Sequence, residues 1–80
     1  MKLTTAVSKR IRELLNERGM TQYQLYKKSG VPQSTISTIL SEKDKTSKLL
    51  TIAQIAQGFD MGLEEFFASA NFSFTELDVE

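Results

Sequence analysis

Residues 21–40 read TQYQLYKKSGVPQSTISTIL, and the order of polar, small and apolar side chains in this stretch decides the fold. Thr21 stands where a helix N-cap belongs, and Gln24 follows three residues later as its capping-box partner. Met20 and Leu25 flank the pair at the spacing of a hydrophobic staple, so a helix begins at about Gln22. Gly30 offers the left-handed conformation that closes this helix near Ser29 and turns the chain sharply. Pro32 lacks the N–H that a first helical turn leaves unpaired, so it marks the entry to a second helix. Along that second helix Ile36, Ile39 and Leu40 recur at offsets of three and four, which predicts a buried stripe.

Two short helices joined by a tight glycine turn read as a helix-turn-helix, an arrangement that points to DNA. The side of the second helix opposite its apolar stripe carries Gln33, Ser34, Ser37 and Thr38. Short uncharged side chains that both donate and accept hydrogen bonds are what base edges in a major groove require. Any solvated helix also shows polar residues opposite its apolar stripe, so this helix taken alone does not separate the two readings.

The run MTQYQLYKKSGVPQSTIS, followed by ILSEKDKTSKLLTIAQIA and then GLEEFF, resembles the phage-repressor or Cro-like (Xre) helix-turn-helix regulators, especially the small bacterial members. With the weaker helix in front, the likeness covers about residues 6–67. The resemblance implies a five-helix DNA-binding domain that usually acts as a dimer on a two-fold operator. It implies further that Gln22 contacts phosphate at the start of the second helix, and that Gln33, Ser34, Ser37 and Thr38 face bases. Three departures stand out. Glu42 occupies a loop position where many relatives carry glycine, and Ser47 one where a proline often precedes the fourth helix. Leu15 and Leu40 stand where other relatives pair an acid with a base, which predicts an apolar contact between the first and third helices.

At 80 residues and 40% hydrophobic content, the chain is one small domain near the size at which a single core suffices. Cysteine is absent, which excludes disulfides and thiolate-bound zinc and suits a reducing cytoplasm. No apolar run approaches the roughly 20 residues of a membrane span, so a cytoplasmic protein without membrane attachment is expected. The net charge is zero, yet residues 1–48 hold all ten bases against four acids, 10 − 4 = +6, and residues 49–80 hold six acids and no base. Such a split hints at nucleic-acid contact on the basic side, with the acidic end held away from phosphate.

Three more helices complete an all-α reading. The first spans about residues 6–18, with Val7, Ile11, Leu14 and Leu15 inward, Lys9, Arg10 and Arg12 read as solvated charges, and Gly19 at its end. A fourth, over about residues 48–57, places Leu49, Ile52, Ala53 and Ala56 on one face, with Gly58 and Asp60 as turn formers. A fifth opens after Gly62 with Glu64 and Glu65 in its first turn, where the helix dipole favours acids, and buries Leu63, Phe66, Phe67 and Ala70. Between the third and fourth lies SEKDKTSK, whose Lys43, Lys45, Thr46 and Lys48 are natural phosphate ligands, as Lys27 and Lys28 could be from the second helix. A loop that is simply solvated gives the same composition.

Phe72, Phe74, Leu77 and Val79 alternate with polar residues, which permits a short strand or an arm that folds back on the fifth helix or covers a partner subunit, with a frayed chain end as the equal alternative. The expected division is therefore a DNA-binding domain over residues 1–70 and an acidic tail or arm over 71–80. Histidine and cysteine are absent, the four glycines fall between helices, and the carboxylates are scattered. No enzyme, metal, cofactor or small-molecule ligand is expected. The reading is a small transcriptional regulator, a homodimer on double-stranded DNA, with residues 33–40 in the major groove. Its alternative is a protein-interaction module of the same fold, antitoxin-like or a partner subunit, that uses the acidic phenylalanine-bearing end.

Overall fold

The computed structural model describes residues 1–43, 48–73 and 75–78. Among these residues the chain forms α1 (Leu3–Arg18), α2 (Gln22–Ser29), α3 (Gln33–Leu40), α4 (Leu49–Gly58) and α5 (Leu63–Phe66), then a 3-10 turn at Ala70–Phe72. The all-α, five-helix expectation holds. Lys45 and Thr46, expected on DNA, lie outside the described residues, as do Ser47, Phe74 and Val79.

The helix boundaries follow from their caps. Thr21 Oγ1 accepts from the Gln24 amide at 3.1 Å while Gln24 Oε1 accepts from the Thr21 amide at 2.9 Å, a reciprocal box that fixes the start of α2. Gly30, at φ 77, ends it. After α3 the residue in the left-handed region is Glu42, at φ 61. The Lys43 amide reaches Thr38 O at 3.2 Å and the Glu42 amide reaches Ile39 O at 3.1 Å, the two bonds of a Schellman ending. Glu42 thus adopts the backbone conformation that a glycine takes with less strain. The Thr5 hydroxyl donates to its carboxylate. Asp60, at φ 60, closes α4 in the same way, with amides 60 and 61 bonded to Gln57 O and Ala56 O.

One core joins all five helices. Ile11, Leu14, Leu25, Val31, Ile36, Ile55, Phe59 and Phe66 are its largest fully buried side chains, and Leu15 packs against the cluster that contains Leu40. The apolar face of α4 differs from the expected one. Its buried residues are Ile52, Ile55 and Ala56, continued by Phe59, whereas Leu49 and Leu50 are 65% and 71% exposed. The close approach of α4 to α2 lies at its last residue, Gly58, while its first turn is exposed. Gly58 is there not as a turn former but as a close approach: a Cβ at this position would lie 2.8 Å from Ser29 Cβ and 2.9 Å from Leu25 Cδ1. Ala70 is exposed rather than buried, because α5 ends after one turn and Ser69 caps the separate 3-10 turn. Phe72 turns inward instead and stacks edge-on against Phe67, with centroids 4.9 Å apart. The tail therefore folds back on α5, and the Asp78 amide bonds Met1 O at 2.7 Å in a single bridge to the N-terminal strand of chain.

Arg10 and Arg12 are more than solvated charges, since each has a hydrogen-bond partner within the fold although Arg12 stays exposed. Arg10 Nε donates to Phe66 O at 2.7 Å and its NH2 group to Glu65 O at 2.9 Å. The Arg12 guanidinium donates to Leu40 O at 2.9 Å, and that of Arg18 donates to Phe59 O. Each arginine of α1 thus meets a carbonyl at the C-terminal end of another helix, where intrahelical donors run out and the dipole favours a cation. Lys28 donates to Asp60 at 2.9 Å. That hydrogen bond first, then the Lys28 charge and, more weakly, that of Arg18, hold the Asp60 carboxyl below the usual aspartate range.

Gly58→Ala is expected to destabilise the fold by about 1–3 kcal/mol, because α2 and α4 must separate to admit the methyl group. An unchanged urea midpoint would show that the two helices have slack there. The Asp60 pair makes a second prediction, with a sign set by linkage. A carboxyl whose folded pKa lies below its unfolded value stabilises the fold above the unfolded value and loses that contribution as pH falls through the folded one. Asp60→Asn, which also tolerates the left-handed backbone, should lower the urea midpoint at neutral pH, and the gap should close as pH drops below about 4. A gap that stays constant with pH would remove the ion pair from the account.

Candidate nucleic-acid interface

The expected reading residues emerge on one surface. Gln33, Ser34, Ser37 and Thr38 are all exposed along α3, while Ile36, Ile39 and Leu40 point into the core. The Thr38 hydroxyl donates to Ser34 O at 2.8 Å, one helical turn back. Its proton is therefore engaged within the helix, and the Thr38 hydroxyl keeps only its acceptor lone pairs for other partners. Ser41 Oγ donates to Thr38 O at 3.1 Å and helps seal the helix end.

Gln22 is the first residue of α2 and is also exposed. The turn through Gly30, Val31 and Pro32 brings it beside the middle of α3, where Ser37 Oγ donates to Gln22 Oε1 at 3.3 Å. This contact joins the two helices of the motif on their outer surface. Lys43 follows directly, since its own amide is bonded to Thr38 O, and its side chain is exposed, as is that of Lys48. Lys28 is engaged by Asp60, and the Lys27 ammonium lies 5.9 and 5.8 Å from the Tyr23 and Tyr26 ring centroids.

What holds α3 in place came from residues the sequence did not single out. The Leu40 carbonyl, at the end of α3, accepts from buried Ser8 Oγ at 2.9 Å and from Arg12 at 2.9 Å. Both donors lie on α1, four residues apart, so one face of α1 anchors the far end of the exposed ridge. Ser8 could have been found by noting a small polar residue between Val7 and Ile11 in the apolar stripe of α1.

Residues 11–66 match the family model described as helix-turn-helix, and the chain belongs to that family. The match bears out the resemblance to the phage-repressor and Cro-like group. Its members are DNA-binding regulators rather than enzymes, and DNA binding is the general activity the fold carries. No curated protein and no solved structure matches the chain. No helix among the described residues is long and apolar enough to cross a membrane.

The double anchor on Leu40 makes a testable prediction. Because either donor alone still satisfies the carbonyl, Ser8→Ala and Arg12→Met should each cost about 0.5–1.5 kcal/mol. The double variant should cost more than the two together, since it strands a polar group at the α1–α3 contact. Strictly additive losses in urea unfolding would mean that the two bonds act independently.

Proposed function

We propose that the protein binds double-stranded DNA sequence-specifically as a small transcriptional regulator, with α3 laid in the major groove. The observation that carries this reading is the exposed ridge of Gln33, Ser34, Ser37 and Thr38, backed by a buried apolar stripe and flanked by Gln22 and Lys43. Gln33, the exposed first residue of α3, makes a bidentate contact to adenine through its amide in this reading. Ser34 and Ser37 bond base edges, and the Thr38 methyl meets a thymine methyl.

Gln22, Lys43 and Lys48 contact phosphate, together with Lys45 and Thr46, and so set register without reading sequence. The ridge carries no arginine, so guanine reading from α3 is limited. As a homodimer the protein would hold its two reading helices about 34 Å apart, or a multiple of it, on half-sites related by two-fold symmetry. DNA as partner fits a cytoplasmic setting. The rival reading, a protein-interaction module using the phenylalanine-bearing end, is weakened by the inward packing of Phe72.

Titration on a preferred and a random duplex over a salt series tests the assignment. Gln33→Ala should cost about 1–3 kcal/mol on the preferred duplex and little on the random one. Lys43→Ala should weaken both alike and flatten the log-log salt slope by about 0.9. Equal losses on both duplexes for Gln33→Ala would overturn the role of α3.

A further inference from the structure

We propose that Gln22 couples the phosphate backbone to base choice by making Ser37 a hydrogen-bond acceptor only, so that the base facing Ser37 is an amino base, adenine or cytosine. The inference rests on the reading of α3 given above and deepens it. A serine hydroxyl has one proton and two lone pairs. The contact between Ser37 Oγ and Gln22 joins two oxygens, Oγ and Oε1, so the proton can only be that of Ser37. With it engaged, Ser37 offers lone pairs alone to whatever approaches α3.

The orientation of the Gln22 amide decides this, and phosphate fixes that orientation. A phosphate oxygen accepts and does not donate, so it draws the Nε2 group of Gln22. The carbonyl end is then the part left to face Ser37, which is the arrangement found. A backbone contact that carries no sequence information is thereby converted into a constraint on one base. In the major groove adenine presents the N6 amino group and cytosine the N4 amino group, whereas guanine O6 and thymine O4 are acceptors. Only the amino bases complement an acceptor-only serine; a keto base meets lone pair with lone pair. Thr38 is biased in the same direction, since its proton is already taken by Ser34 O.

Magnitude sets what to expect. At 3.3 Å the Ser37 bond is long for a hydroxyl donor, so it biases the rotor rather than locking it. The preference for amino over keto bases should be about fivefold, the worth of one ordinary hydrogen bond.

Selection from a randomised duplex pool, run in parallel on the wild type and on Ser37→Ala, Gln22→Met and Gln22→Glu, tests the proposal. Both substituted positions, Gln22 and Ser37, are on exposed surface, and thermal melts followed by circular dichroism verify that the variants fold. The wild type should yield a position occupied by adenine or cytosine, and Ser37→Ala should flatten that position alone. Gln22→Met, which frees the Ser37 proton, should admit guanine or thymine there. Gln22→Glu, whose carboxylate still accepts from Ser37, should keep the amino preference while weakening binding to every sequence through repulsion from phosphate. A Ser37-dependent position that selects keto bases overturns the inference, as does an amino preference that survives Gln22→Met undiminished. A preferred sequence that depends on Gln33 but at no position on Ser37 removes this inference and leaves the reading of α3 standing. A wild type that selects no sequence removes both.

Discussion

Helix α1 is the constraint on which the arrangement of the other helices depends. Its three arginines reach the carbonyl ends of α5, α3 and α4, through Glu65 and Phe66, Leu40, and Phe59 respectively. Residues two apart on a helix of 3.6 residues per turn point to nearly opposite sides, so Arg10 serves α5 while Arg12 serves α3. Helix C-termini carry carbonyls with no donor of their own, and each such bond at a solvent-accessible arginine is worth about 0.5–1.5 kcal/mol. In a chain of 80 residues without cysteine, where the core alone is barely sufficient, this clamp adds directional contacts that the non-directional core lacks.

The clamp also changes the meaning of the charge distribution. Ten bases in the first 48 residues suggest a surface made for polyanions, yet Arg10, Arg12, Arg18 and Lys28 have partners inside the fold. Part of the excess is architecture. Lys43, just after α3, is differently placed: it is tied by its backbone to the end of the exposed ridge and is itself exposed. Position, not the count of positive residues, therefore argues for contact with phosphate, and the proposed interface rests on the α2–α3 pair and its following loop.

The match between reading and structure was closest where the signal is local. Thr21 and Gln24 form the box that their spacing implies, Gly30 turns the chain, and Ile36, Ile39 and Leu40 are buried. Each depends on residues within one or two helical turns of one another. The reading was poorest in α4 and beyond. Leu49 fits the periodicity but stands exposed in the first turn of α4, while Phe59, set between two turn formers in the sequence, is fully buried. Glu42 shows the limit from another side, since nothing in its own chemistry announces a left-handed backbone, and only the closing bonds of α3 impose one.

By itself the sequence determined that there are five helices, where the central two begin and end, and which polar side chains share the outward side of α3. Caps, glycines and the helical repeat act over a few residues, so they can be read without knowing what lies opposite. Tertiary structure alone decided which charges are engaged internally, that Ser8 and Arg12 hold the end of α3, and that Ser37 faces Gln22 across the turn. Those contacts join residues 15 to 56 positions apart, and a side chain carries no local mark of a partner that only folding brings within 3 Å or so.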